Sequence, residues 1–358
     1  MELSPDLDRH SDLRPRLERY LARVTGDPGA SVEDTRRHTE GFSLETVSFT
    51  ACWRDGAGAA ERRRLVLRRQ PAAGLLEPYD LRPQVAAMRA VAGAIAVPPV
   101  RWFEEDASVL GAPFYVMDFI DGDVPLPVLG KDGNPPIADA AEREALARDL
   151  ACNLAGLHRF DWKSSPLAGF DAPRGARDAA RRQLEVWRGY FERSRSGPEP
   201  MLHRALRELE HRAAALPTDG PVTVVHGDFR TGNFLRQGGV VRAVLDWEMV
   251  HLGDPVEDVA WATSRLWRGQ SRLAGVLVAC ADFRRMYEEA GGQPVCPARL
   301  AFYDLLSGVK MAAIMLTGLR AFADGRTDDV RMAIFRHQLS GMNLILAESL
   351  AIIPSLDS

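Results

Sequence analysis

The sequence predicts an α+β chain in two unequal parts: a small β-rich N-terminal part and a larger, mostly helical C-terminal part, joined at about Gly122. Three observations carry this. Alternating apolar and β-branched residues crowd the first third, in GFSLETVSFTACW (41–53), RLVLRRQ (64–70) and GAPFYVMDFIDG (111–122). Beyond it, apolar residues recur at helical spacing, as Leu146, Leu150, Leu154 and Leu157 do within 138–160. A β-island, VTVVHGDFRTGNFLRQGGVVRAVLDW (222–247), interrupts the helices.

Taken in order, Leu13, Leu17, Leu21 and Val24 before Gly26 predict an amphipathic helix. The first two β-rich runs form a hairpin across GAGAA (56–60), and residues 81–93 form a helix before the Pro98-Pro99 break. The strand in 111–122 ends at an Asp-Gly turn, and helices follow over 138–160, about 175–195 and 199–215. In the β-island, Gly238-Gly239 between apolar runs signals a second hairpin. Asp254 and Pro255 then open a helix through DVAWATSRLW, Asp as N-cap and Pro in the first turn, with helix continuing to about residue 351. Met311, Met315, Leu316 and Leu319 form a stripe expected in the core, and DGRTDD, with Asp324, Asp328 and Asp329, reads as a solvated loop.

Bulk properties exclude several classes. With 358 residues the chain can hold two lobes, and a net charge of −4 provides no broad basic field for nucleic acid. Cys52, Cys152, Cys280 and Cys296 are scattered without CxxC spacing and read as buried small hydrophobes in a reducing compartment. The charged N-terminus lacks an apolar signal-peptide core, and no apolar run approaches the roughly 18 residues that cross a bilayer. The expectation is a cytoplasmic protein without a membrane partner, its oligomeric state open.

The chemistry concentrates in HGDFRTGNFL (226–235) and LDWE (245–248). Alone, the first stretch is also what a tight turn would use. Asp228 follows a strand, Asn233 starts the next, and the Gly-Gly hairpin returns Asp246 beside Asn233. A carboxylate base and hard oxygen ligands around one cleft are what phosphoryl transfer from magnesium-ATP requires. Arg230 is placed to neutralise charge on the transferred group.

HGDFRTGN has the spacing of the kinase catalytic loop, LDWE stands where protein kinases carry Asp-Phe-Gly, and GDPVEDVAW (253–261) completes a pattern that resembles the aminoglycoside phosphotransferase, or choline-kinase-like, family. VLRRQP, VPPVRWFEEDASVLGAPFYVMDFIDG and LAGLHRFDW extend the resemblance over nearly the whole chain, toward a bacterial branch similar to the kinase-like domain of acyl-CoA dehydrogenase fusion proteins. The resemblance implies a two-lobed protein-kinase-like fold. Residues 1–121, a small antiparallel-sheet lobe of five strands and one helix, would bind nucleotide; residues 122–358, mainly helical, would carry catalysis and the substrate site.

It further implies Asp228 as base, Asn233 and Asp246 as magnesium ligands, and Asp258 as a brace beneath the loop. VMDFIDG would be the hinge, with Met117 lining the adenine pocket and backbone groups of Asp118 and Ile120 bonding the adenine of ATP or GTP; Gly41 and Ser43 would lie in the phosphate-covering loop. His226 and His158 are expected to be structural. Two departures stand out. No lysine precedes Lys131, so the phosphate-binding role falls to Arg68 or to nothing, and Gln84 occupies the position of the paired glutamate.

The expected function is phosphorylation of a small-molecule hydroxyl, the acceptor a hydroxyacyl-CoA or natural-product alcohol rather than an aminoglycoside, since no acidic concentration marks the C-terminal part. The alternatives are a pseudokinase-like nucleotide or metabolite binding module without turnover, and a protein kinase. Only residues 249–252 separate LDWE from GDPVED, too few for a peptide-docking activation segment.

Overall fold

A computed structural model describes residues 13–38, 44–126, 129–130, 133–269 and 271–351. Gly41, Ser43 and Lys131 lie outside the described residues. The N-terminal sheet is antiparallel in the order β1-β2-β3-β5-β4, formed by β1 Ser31–His38, β2 Glu45–Arg54, β3 Ala60–Arg69, β4 Val100–Glu104 and β5 Phe114–Asp118. Alternation gives it two apolar faces. Val47, Phe49, Leu65 and Leu67 pack against Leu17, Tyr20 and Leu21 of α1 (Leu13–Thr25). Val66, Tyr115 and Met117 turn the other way, against Val85, Met88 and Val91 of α2 (Arg82–Val91). Arg68 lies directly opposite Tyr115 in the β3–β5 register and so shares this inner face. A short α3 (Ala107–Leu110) links β4 to β5.

α1 is the amphipathic helix predicted before Gly26 and α2 the one predicted over 81–93, so only the short α3 was not expected; the sheet has the five strands the resemblance implied, but β1 falls where no strand was read. SVEDTRRH lacks apolar alternation; β1 is an edge strand fixed by backbone pairing to β2, with a bulge between Glu33 and Arg36. The chain leaves β5 and meets β7 (Phe234–Gln237), where Asp123 and Arg236 exchange backbone hydrogen bonds of 2.9 Å. A Cβ at Gly122 would stand 2.8 Å from the Arg236 carbonyl oxygen, so this junction needs glycine.

The C-terminal part holds α4 (Ala140–Arg159), α5 (Ala176–Ser194) and α6 (Pro200–Ala215) before β6 (Thr223–Val225), then β7 paired with β8 (Val240–Val244) in the predicted Gly-Gly hairpin. β9 (His251–Gly253) pairs with β6 and leads into α7 (Val256–Thr263). Asp254 Oδ1 accepts from the Val256 N–H at 2.9 Å, the capping bond expected of it. The continuous helix expected from here is not observed. Ser264 leaves helical geometry and caps a short α8 (Arg265–Arg268) by accepting from the Leu266 N–H, and β10 (Leu273–Ala274) and β11 (Val278–Ala279) form a hairpin before helix resumes.

Helices α9 (Cys280–Glu289), α10 (Pro297–Ala323) and α11 (Arg331–Ala351) complete the chain, and α10 packs against α5, α7 and α11 around Phe302, Leu305, Val309 and Leu316. Met315 and Leu319 cover the same core, as their stripe predicted. Contrary to the sequence expectation, α10 is long and apolar enough to cross a membrane, with a mean hydropathy of 1.4; 72% of that window is buried inside the fold, as in a core helix. All four cysteines are free, in keeping with expectation, but their burial differs from it: Cys152 is exposed and the other three are only half-buried.

Candidate active site

β6 delivers the chain to His226, and the turn that follows is fixed from below. Asp258, fully buried in α7, accepts the His226 N–H at 2.7 Å on Oδ2 and the Gly227 N–H at 2.8 Å on Oδ1. His158 Nε2 lies 3.2 Å from the same Oδ2, and its Nδ1 lies 2.7 Å from the Tyr287 hydroxyl. Burial by itself would raise the Asp258 carboxyl, but the His158 hydrogen bond and the two imidazoles hold it below the ordinary carboxylate value. This is the brace expected of Asp258, and the structural role expected of His158.

His226 also proves structural. Its Nδ1 accepts from the Asp228 N–H at 3.1 Å, so Nε2 carries the proton and donates to the Leu245 carbonyl at 2.9 Å. Burial pushes its pKa down, consistent with a neutral ring bridging 226–228 to the strand that ends in Asp246. Gly227 turns with φ +82°, and a Cβ there would stand 2.5 Å from the Met249 carbonyl oxygen.

Three donors converge on Asp228. Trp261 Nε1 donates to Oδ1 at 2.6 Å, Arg230 Nε to Oδ1 at 3.1 Å, and Asn233 Nδ2 to Oδ2 at 2.5 Å. Arg230 stacks on the Trp267 ring, its guanidinium carbon 4.2 Å from the centroid. The Trp267 Nε1 is buried and has no hydrogen-bond partner among the described residues. Asn233 Nδ2 also donates to the Asp228 carbonyl, so both bonds use its nitrogen and the amide oxygen is the atom left to face a cation. The Leu245 N–H donates to the Asn233 carbonyl at 2.8 Å, which sets Asp246 beside Asn233 as the hairpin predicted. Asp246 itself sits in the left-handed region, φ 60° and ψ 61°, a conformation unusual for a non-glycine residue.

The two departures from the kinase pattern resolve together. Arg68 is only 13% exposed in its side chain, not a solvated strand residue, and its Nη2 reaches Asp246 Oδ1 at 2.8 Å and Glu248 Oε1 at 2.9 Å. Burial opposes its charge, but Asp246 and Glu248 hold the guanidinium protonated. Gln84, 3% exposed on α2, accepts instead from the Tyr115 hydroxyl at 3.3 Å. The counter-charge expected on α2 is thus supplied by the acid two residues after Asp246.

At the hinge, Met117 is buried beside Val66 and Val100. Asp118 holds Arg101 through both carboxylate oxygens, and its N–H donates to the Pro99 carbonyl at 3.0 Å, which leaves its carbonyl as the backbone group able to face an adenine. Ile120, two residues on, is half-buried.

Sequence reasoning passed over Trp261, Glu248 and Lys310. The first two stand inside quoted motifs; Lys310 is one of three lysines in the chain. Its Nζ, on α10, donates to the Gly227 carbonyl at 2.5 Å and lies 3.4 Å from Glu257 Oε1 and 4.5 Å from the Trp261 ring centroid. Glu257 in turn lies 3.2 Å from His251 Nε2, and burial there is outweighed by His251 and Lys310, which keep the carboxyl ionised below its ordinary value. Lys310→Met removes one partner of a buried pair, so we expect it to cost about 3 kcal/mol of unfolding free energy. Urea denaturation measures this, and a loss within experimental error of zero would show that the ammonium is not needed.

The sequence pattern described as the phosphotransferase enzyme family matches residues 36–303. Among curated relatives, mouse acyl-CoA dehydrogenase family member 10 is 33% identical over 69% of this chain and 22% of its own length. Chicken acyl-CoA dehydrogenase family member 11 is 31% identical over 69% of this chain and 30% of its own length. The chain therefore spans less than a third of either relative. Among solved structures, an aminoglycoside-phosphotransferase-like protein of Ralstonia eutropha JMP134 aligns with a TM-score of 0.68 at 23% identity, covering 94% of this chain and 97% of that one. A thermostable mutant of aminoglycoside phosphotransferase APH(4)-Ia, in a ternary complex with ADP and hygromycin B, aligns with a TM-score of 0.57 at 20% identity, covering 92% and 98%. At these identities the structures establish the shared two-lobed fold.

Proposed function

The chain belongs to the phosphotransferase enzyme family, a small-molecule phosphotransferase by that membership, and from this premise we propose that it transfers the γ-phosphoryl group of magnesium-ATP, or GTP, to a hydroxyl of a small molecule. The observation that carries this reading is the convergence of Trp261, Arg230 and Asn233 on the Asp228 carboxylate, with Asp246 set beside Asn233. Asp228 is held by its donors, so it can orient an acceptor hydroxyl and take its proton as the phosphorus–oxygen bond forms. Arg230 offsets charge developing on the phosphoryl oxygens.

The donor set suits magnesium, a hard cation that takes one or two protein oxygens and completes its shell with phosphates and water. Asp246 and the Asn233 amide oxygen would hold it; when bound, it screens the phosphate charge. Arg68 would hold the α- and β-phosphates, and the Asp118 carbonyl with the Ile120 N–H would hold the base. The lobes, meeting near residue 122, would close over the nucleotide and keep water from competing with the acceptor.

Beside Asp228 the wall is cationic and aromatic. Arg230 stacks on Trp267, and the Trp261 indole donates to the Asp228 carboxylate. Such a wall suits a neutral or anionic acceptor better than a polycationic aminoglycoside. The relatives' names point to acyl-CoA chemistry, so an acyl-CoA that carries a hydroxyl is the first acceptor to test and a natural-product alcohol the second.

A thermal-shift titration with magnesium-ATP and magnesium-GTP tests the nucleotide site, since a ligand that binds the native state raises the melting temperature. We expect a magnesium-dependent rise that Asp246→Ala abolishes; no rise at millimolar nucleotide would sink the reading. One observation favours a non-catalytic binding module: Arg68 engages the proposed metal ligand Asp246 directly. Phosphate transfer to an alcohol decides between the two.

Arg68 bridges both acids through a single nitrogen, a contact an ammonium can reproduce. Arg68→Ala should weaken nucleotide binding about 10- to 150-fold, the value of a charge-assisted contact, while Arg68→Lys should retain most of it. Calorimetric titration measures both; equal losses in the two variants would assign Arg68 a purely structural part.

A further inference from the structure

Behind the catalytic loop, at the end of β6 away from Asp228, opens a cavity of about 690 Å³, a size that accepts a small organic ligand. Arg159, Lys163 and Arg174 line it, and no carboxylate does among the described residues. Arg159 donates to the Ala290 carbonyl, and Lys163 Nζ lies 5.6 Å from the Trp162 ring centroid. None of the three forms an ion pair among the described residues, although about half of the described arginines do. These three cations ring one hollow that no carboxylate lines among the described residues, although Asp161 lies close enough to Lys163 to interact with it, and an anion between them would meet all three.

The walls fit the same ligand. Trp162 is fixed by its Nε1 bond to the Val222 carbonyl at 2.9 Å and supplies an apolar face, while Gln293 adds amide donors. At the inner wall Thr223 is 4% exposed, and its Oγ1 has no hydrogen-bond partner among the described residues. A χ1 step that exchanges its methyl and hydroxyl would give that wall another donor. His158 borders the cavity with its backbone, while its side chain is fully buried and its Nε2 meets Asp258 beneath His226 and Gly227. The geometry points to a binding site for a small polyanion, a phosphate ester or an oligocarboxylate, held by Arg159, Lys163 and Arg174 and coupled through His158 to the catalytic loop. It stands apart from the nucleotide cleft and does not depend on the phosphotransfer proposed above.

Calorimetric titration of the intact protein with pyrophosphate and with citrate, both without magnesium, tests the site. The double variant Lys163→Glu, Arg174→Glu reverses two of the three charges on the rim, and Arg68→Ala removes the cation proposed to hold the nucleotide phosphates. We expect at least one probe to bind wild type, binding to weaken about 100-fold in the double variant, and Arg68→Ala to leave it unchanged. Tighter pyrophosphate than citrate assigns a phosphate ester; the reverse assigns an oligocarboxylate. Failure of both probes to bind, binding that survives the double variant, or binding lost in Arg68→Ala overturns the site. Slower amide exchange at His226 and Gly227 on ligand binding checks the coupling, and unchanged exchange removes it. A melting temperature equal to wild type confirms that the double variant is folded.

Discussion

Asp228→Asn is expected to lower kcat by about 10²- to 10⁴-fold, the contribution of a positioned general base. The substitution keeps the shape of the side chain, and its amide oxygen can still accept from Trp261 Nε1, which lies 2.6 Å from Oδ1 in the wild type. What disappears is the proton acceptor. The new amide also places N–H groups toward Asn233, which the carboxylate now receives at 2.5 Å, so Asn233 is free to turn. Affinity for nucleotide is therefore best measured without magnesium, where it should be unchanged. Steady-state phosphate transfer together with the melting temperature separates a chemical loss from an unfolded enzyme. A folded variant retaining more than about a tenth of wild-type kcat would exclude Asp228 as the base.

Asp258→Ala should have the largest effect on stability, a loss of about 3–5 kcal/mol, as expected when one partner of a buried charged network is removed. The carboxylate accepts the His226 and Gly227 N–H groups and meets His158 Nε2, so its removal strands three buried polar groups. Against the roughly 5–15 kcal/mol that holds a typical domain folded, this is a large fraction. Chemical denaturation measures it, and a loss below about 1 kcal/mol would show that the loop is held by other contacts.

The same residue makes a pH prediction. Because the folded carboxyl titrates below its ordinary value, its stabilisation is complete above about pH 4, where the unfolded group is also ionised, and fades as acid carries the pH down through the folded value. His226 adds to this acid sensitivity. Its pKa is pushed down by burial, so the unfolded state binds the proton first and stability begins to fall below about pH 6.5. Asp258→Asn should flatten the acidic end of a melting-temperature profile relative to wild type. An unchanged slope there would rule out Asp258 as a source of acid lability.

By itself the sequence determined the α+β division, the core stripe of α4, the hairpin that returns Asp246 to Asn233 and the loop that presents Asp228. Each depends on residues close in the chain, where periodicity, turn glycines and spacing fix direction before any distant contact forms. Only the tertiary structure decided the rest. β1 exists because β2 offers it an edge, not because SVEDTRRH alternates. The helix after Asp254 stops at Thr263 because the Ser264 hydroxyl caps the next turn. Arg68 found Asp246 and Glu248 at separations of 178 and 180 residues, while Gln84, where a paired acid was expected, turned to Tyr115. Lys310 came to Gly227 from 83 residues away. A buried charge must find a partner wherever the packed chain places one, and sequence spacing carries no record of which partner that is.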